Sequence, residues 1–121
     1  MNILIVDDAE NVRHNILRLL VQESGMNTFR QAASCSEAMV CLETEVPAIL
    51  IVDLKLPDGS GFEIIEKASQ LTPKPLIIVL SNFGLTKFRE RALSLGASYF
   101  FDKTEEFDKL IGLAKNNFAF V

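Results

Sequence analysis

Two apolar runs in the chain end in carboxylates. Ile3-Leu4-Ile5-Val6 runs into Asp7-Asp8, and Ile49-Leu50-Ile51-Val52 runs into Asp53. A run of branched apolar residues reads as a strand buried on both faces of a parallel sheet. A charge at the carboxyl end of such a strand falls where open α/β sheets bind ligands. Asp53 alone could simply cap its strand or the helix that follows, but two acidic strand ends in one chain point to chemistry. Three carboxylates in one crevice repel one another and raise each other's pKa unless a cation sits among them. Oxygen-only ligands select a hard ion, and Mg²⁺ is the usual one where a phosphate also arrives. A carboxylate can act as a nucleophile toward phosphorus, giving an aspartyl phosphate. Lys103 would then supply a compact cation, and Ser81 a hydroxyl, for the phosphoryl oxygens. The plainer role for Lys103 is to pair with Asp53 and keep the crevice neutral.

Such a site needs a scaffold that gathers strand ends. After Asp8 the apolar period changes to helical, with Val12, Ile16, Leu19 and Leu20 on one face and Gly25 as a stop. His14 lies off that stripe and reads as a solvated residue. Thr28 to Ala33 is a strand of mixed polarity. Ser34 and Glu37 then form a capping box for a helix burying Ala38, Cys41 and Leu42. After Asp53, Pro57-Asp58-Gly59 is a turn. Ser60 and Glu63 repeat the capping-box spacing, and Phe62, Ile65 and Ser69 mark one helical face. Leu76 to Leu80 is a fourth strand, ending at Ser81. Leu85, Phe88 and Ala92 make a stripe that stops at Gly96, with Arg89 and Arg91 on a solvated face. Ala97 to Phe101 is a fifth strand leading into Asp102-Lys103. Thr104 is placed to cap a last helix burying Phe107, Leu110, Ile111 and Ala114.

Five strands alternating with five helices imply a parallel sheet. The all-apolar strands belong at the centre and the mixed ones at the edges, which selects the order 2-1-3-4-5. The switch point then lies between strands 1 and 3, so Asp7, Asp8 and Asp53 converge, flanked by Ser81 and Lys103. No glycine-rich phosphate loop follows the first strand, which argues against a dinucleotide site.

At 121 residues the chain reads as one domain spanning 1–121. Its net charge of −4, with no basic stripe, argues against direct nucleic-acid binding. No apolar run approaches the ~20 residues needed to cross a bilayer. Met1-Asn2 provides no basic region for a signal peptide, so a cytoplasmic location is expected. Cys35 and Cys41 lie six apart in one helix, off a common face, so no disulfide is expected between them. At a helix start, Cys35 could have a lowered thiol pKa.

Asp7-Asp8, the Asp53…Pro57-Asp58-Gly59 segment, Ser81, Gly96-Ala97 and Lys103 resemble, as an ordered set, the receiver domain of bacterial response regulators. The resemblance covers essentially the whole chain, and no output domain is detected. It implies a flavodoxin-like, doubly wound five-stranded parallel sheet with five helices. It also implies that Asp53 is the phosphoacceptor, served by a histidine kinase or phosphotransfer protein. Asp8 would be a direct Mg²⁺ ligand, Asp7 would act through water, and Asp53 and the Lys55 backbone carbonyl would complete the protein's share. Ser81, Lys103 and the Asn82 backbone would bind phosphate, with Ser81 and Phe100 as the switch pair. Output would pass through the fourth helix, fifth strand and fifth helix to a downstream protein, or to a second copy in a homodimer. The implied activity is that of a signalling switch and not of an enzyme, beyond its own phosphorylation and dephosphorylation. The alternative is a receiver-like interaction module that works without phosphorylation. Some positions depart from the commoner pattern. Asn82 stands where a very small residue is usual and would narrow access to Asp53. Thr104 replaces a proline after Lys103, so that peptide is either trans or a strained cis. Lys55 and Phe83 occupy positions that tune phosphate loss.

Overall fold

The structure, a computed structural model, describes residues 2–24, 28–82 and 86–118. Strand β1 (Asn2–Val6) and helix α1 (Glu10–Ser24) open the chain, followed by β2 (Thr28–Ala32) and α2 (Cys35–Thr44). Strand β3 (Ile49–Val52) comes next, then two short strands, β4 (Lys55–Leu56) and β5 (Gly59–Ser60), and helix α3 (Gly61–Ser69). The remainder is β6 (Leu76–Ser81), α4 (Thr86–Leu95), β7 (Tyr99–Asp102) and α5 (Phe107–Phe118). Five strands form one parallel sheet in the order β2-β1-β3-β6-β7. This is the expected 2-1-3-4-5 order, because β4 and β5 stand apart as an antiparallel ribbon. The sequence reading saw only a turn at Pro57-Asp58-Gly59 and missed that ribbon.

Alternation along each strand divides the core into two layers. Leu4, Val6, Leu50, Val52, Ile77 and Val79 point to the side covered by α2, α3 and α4, where Ala38, Leu42, Ile64, Ile65, Ala68 and Ala92 meet them. Ile3, Ile5, Ile49, Ile51, Ile78 and Leu80 point to the other side, against Ile16, Leu20 and Leu110 of α1 and α5. Each of the Val, Leu and Ile side chains contributes roughly 1.5–3 kcal/mol on burial, so the three central strands are held from both faces. The carboxyl ends of β1 and β3 are therefore rigid mounts.

Several local expectations need correction. Helix α3 buries Ile64, Ile65 and Ala68, not a Phe62–Ile65–Ser69 face. Its axis turns Phe62 toward α4, where the ring lies 6.2 Å from that of Phe88, and Ser69 bonds back to the Glu66 carbonyl. Cys41 is only half-buried. Thr104 does not cap α5. The Asp102 carboxylate accepts the N–H groups of Thr104 (2.8 Å) and Glu105 (2.9 Å), forming a turn that delays the helix to Phe107. Strand β7 starts at Tyr99 because Ala97 is taken up in ending α4: Gly96 has φ 121°, and the N–H groups of Gly96 and Ala97 bond the carbonyls of Leu93 and Ala92. That pairing is a glycine-terminated Schellman motif. Gly25, Phe83, Leu85, and the side chains of Ala114 and Lys115 lie outside the described residues.

Candidate functional site

Asp7, Asp8 and Asp53 each bring a carboxylate oxygen to one place, all within 4.8 Å of one another. Asp7 and Asp53 are buried and Asp8 is exposed. The backbone makes this convergence obligatory. Val6 and Val52 are register partners, and the Asp53 N–H extends the ladder to the Val6 carbonyl at 2.9 Å. The Asp7 N–H similarly reaches the Ala32 carbonyl on β2 at 3.1 Å. Asp7 is fixed further by the Ala9 N–H on its Oδ1 and by the Arg13 guanidinium on its backbone carbonyl. Asp53 Oδ1 accepts the Leu54 N–H at 2.8 Å.

Lys103 enters from the end of β7. Its Nζ pairs with Asp7 Oδ2 at 2.5 Å and with Asp53 Oδ2 at 3.0 Å. The Lys103 N–H donates to the Ser81 carbonyl at 3.0 Å, which ties the lysine's backbone to the end of β6. Burial raises the Asp53 pKa above the usual carboxylate range, the Lys103 ammonium pulls it back, and the Asp7 charge adds to the rise. For Lys103, burial alone would lower the pKa, but its bonds to Asp7 and Asp53 outweigh that and raise it. The ammonium is thus held charged between two carboxylates.

A crevice of about 450 Å³ opens over this cluster, with Asp8, Asp53, Lys55, Asn82 and Lys103 on its walls. Asn82 is exposed at its rim, where the sequence placed it as a narrowing residue. Ser81 is fully buried at the end of β6. Phe100, register partner of Val79, is 3% exposed, and the Arg89 guanidinium sits 5.0 Å over its ring. Thr72–Pro73 is the cis peptide among the described residues, so the Lys103–Thr104 bond is trans.

Three carboxylates against one ammonium leave an excess of negative charge in an all-oxygen donor set. That composition fits a hard divalent cation, with Asp7, Asp8 and Asp53 as the side chains that would hold it. Gly61 lets α3 start directly against the backbone of Asp53 and Leu54. A Cβ there would meet the Asp53 carbonyl and lie 2.9 Å from the Leu54 Cα.

Sequence reasoning missed three contributors. Arg13 lies off the apolar stripe of α1, yet it clamps the Asp7 carbonyl and also donates from Nε to Gln31 at 3.0 Å. Arg89 and Arg91 were read as a solvated face. Arg89 instead donates to the Phe100 carbonyl (3.1 Å) and pairs with Glu106 (3.2 Å), while the Arg91 guanidinium lies 4.4 Å over Phe62. Aromatic rings and a carbonyl across the gap draw these cations down. The Cys35 thiol pKa is raised and not lowered: burial comes first, with the charges of Asp58 and Glu63 adding to it.

The sheet is doubly wound, with an acidic crevice at its switch point and the partly buried Lys103 bridging two of its carboxylates. The chain belongs to the response regulator receiver domain family, whose model matches residues 3–115. Receiver domains are phosphorylation-operated switches of two-component signalling, and not enzymes. An uncharacterized 14.6 kDa protein of Leptolyngbya boryana is 30% identical over 117 residues, covering 95% of this chain and 88% of that one. A response regulator receiver domain protein from Clostridium thermocellum is 27% identical with a TM-score of 0.82, covering 98% and 93%. A Burkholderia pseudomallei response regulator, solved with a phosphorylated aspartic acid, calcium ion and citrate, is 26% identical with a TM-score of 0.83, covering 96% and 67%. The chain spans between 24% and 54% of the length of seven other curated relatives. Among the described residues, no helix is long and apolar enough to cross a membrane.

Proposed function

We propose that the chain is a cytoplasmic switch that accepts a phosphoryl group on Asp53 from a phosphohistidine of a sensor kinase or phosphotransfer protein. The observation that carries this reading is the convergence of Asp7, Asp8 and Asp53 within 4.8 Å, with Lys103 bonded to two of them. The Asp53 carboxylate attacks phosphorus, the P–N bond of the donor breaks, and the electron pair returns to the imidazole, which takes up a proton. Asp8, Asp53 and the Lys55 carbonyl would hold Mg²⁺ directly and Asp7 through water. When bound, that ion neutralises charge on the transferring group. With the carboxylate charge lost to the acyl phosphate, Lys103 would move from Asp53 to a phosphoryl oxygen. Ser81 and the Asn82 N–H bind further phosphoryl oxygens.

The Burkholderia regulator supports this reading through its phosphorylated aspartic acid and bound calcium. The output face would be α4–β7–α5, presented to a downstream protein or to a second copy, with no direct contact to nucleic acid.

Incubation with acetyl phosphate and Mg²⁺ followed by intact mass tests the assignment. One acid-stable, base-labile phosphoryl group is expected, and Asp53→Asn should abolish it. Undiminished labelling of Asp53→Asn would refute Asp53 as the acceptor.

A further inference from the structure

We infer that Asp58 is a positioning residue for the cation site: from the tip of the β4–β5 ribbon it caps α2, and so fixes the Lys55 carbonyl at the crevice. This rests on the metal-site reading above. Asp58 Oδ1 accepts the Cys35 N–H at 2.7 Å and Oδ2 accepts the Ser36 N–H at 3.0 Å. The next two donors of α2 are satisfied locally, since the Glu37 N–H reaches the Ser34 hydroxyl and the Ala38 N–H the Ser34 carbonyl. The first turn of α2 is therefore capped half by its own sequence and half by a loop over 20 residues away.

The ribbon needs that anchor. Each of its strands is two residues long, with Lys55 opposite Ser60 and Leu56 opposite Gly59. A two-stranded ribbon of this size has no stability of its own. Its base is held by the Gly61 N–H on the Leu54 carbonyl at 2.8 Å. Leu56 is buried in the core, and beyond it the tip is held from α2 through Asp58, while nearer the base the Cys35 thiol donates to the Ser60 carbonyl at 3.3 Å. The two surfaces are in close contact, since a Cβ on Gly59 would lie 3.0 Å from Cys35 Sγ. Helix α2 is a firm mount because Ala38 and Leu42 are fully buried against the sheet. Lys55 lies three residues before Asp58 and is in register with Ser60, so movement of the tip moves the Lys55 carbonyl. Cation sites are sensitive to such outer support.

The plainer role, a helix cap and nothing more, makes a different prediction. Ser34→Ala removes a cap from the same helix end without touching the ribbon. The experiment is a Mg²⁺ titration of metal-free protein followed by amide chemical shifts, on the parent, Asp58→Ala, Asp58→Asn, Ser34→Ala and Asp8→Ala. Asp58→Ala should weaken Mg²⁺ roughly ten-fold, and Asp58→Asn, which keeps one acceptor, should weaken it less. Ser34→Ala should bind as the parent does, and Asp8→Ala should lose binding. Parental affinity in both Asp58 variants, or equal weakening in Ser34→Ala, would overturn the inference while the metal site stands. Parental affinity in Asp8→Ala would overturn the metal-site reading and the inference with it. Because Asp58 is exposed and Asp58→Asn keeps an acceptor, at least one variant should fold and give a reading.

Discussion

At the scale of single residues, the crevice holds more negative charge than its burial favours. Asp53 carries that cost, since burial lifts its pKa and Lys103 only partly offsets the rise. A carboxyl whose folded pKa lies above its unfolded value, about 3.9, binds its proton more readily in the folded state. Stability therefore falls as pH rises from about 4 through the folded pKa, and above that the charged form carries the full cost. Asp53→Asn cannot ionise, and its amide oxygen can still accept a bond from Lys103. In metal-free buffer it should show a higher urea midpoint than the parent at pH 7, with the gap narrowing toward pH 4. Urea titrations across that range decide the matter; a gap of the same size at both ends would remove the charge argument. Both cysteines are free, and Cys35 is buried with its thiol pKa raised.

At the scale of elements, the site depends on how closely α3 follows β3. Gly61 begins α3 with its Cα against the Asp53 backbone, and nothing there can yield, since the neighbouring atoms are main chain. Gly61→Ala should destabilise the fold by about 2–3 kcal/mol, read by urea denaturation. A loss below about 1 kcal/mol would mean that the helix start can slide. The elements themselves were largely legible because β1, β3 and β6 are continuous apolar runs, and runs of that kind declare a central parallel strand. The acidic strand ends followed from them, since once the strand order is set the convergence is forced. What stayed hidden depends on distant partners. Asp58 reads as a turn residue until the loop folds onto α2, and Arg13 reads as surface until the Asp7 carbonyl lies beneath it. The late start of α5 was hidden because two local caps competed, and the Asp102 carboxylate displaced the Thr104 hydroxyl. Two-residue strands such as β4 and β5 are too short to leave a periodic signal at all.

At the scale of the whole molecule, a chain of contacts links the crevice to the α4–β7–α5 face. Lys103 bonds Asp53, and the turn it begins is held by Glu106, whose carboxylate accepts the Asp102 N–H at 3.1 Å. Glu106 pairs with Arg89 of α4, and Arg89 also covers the Phe100 ring and bonds its carbonyl. On the proposed reading, movement of Lys103 would reach α4 through Glu106 and Arg89. Phosphorylation shifts such a balance only by its differential interaction with the two states, and ~5.5 kcal/mol would carry it from 1:99 to 99:1. In the proposed phosphorylated state, one hydroxyl bond from Ser81 and one lysine contact would supply roughly 3–5 kcal/mol, so an incomplete shift is expected. Phe100 lacks a hydroxyl to hold it outward, and its ring already lies in the core. The ring then has little distance to travel, and the response should run through the backbone of α4 and β7. Amide and aromatic chemical shifts with and without beryllofluoride, an aspartyl-phosphate mimic, test this in the parent and in Ser81→Ala. In the parent, amides of α4 and β7 should move while the Phe100 ring signals stay nearly in place. In Ser81→Ala those amide shifts should shrink; if they are as large as in the parent, the Ser81 hydroxyl does not drive the switch.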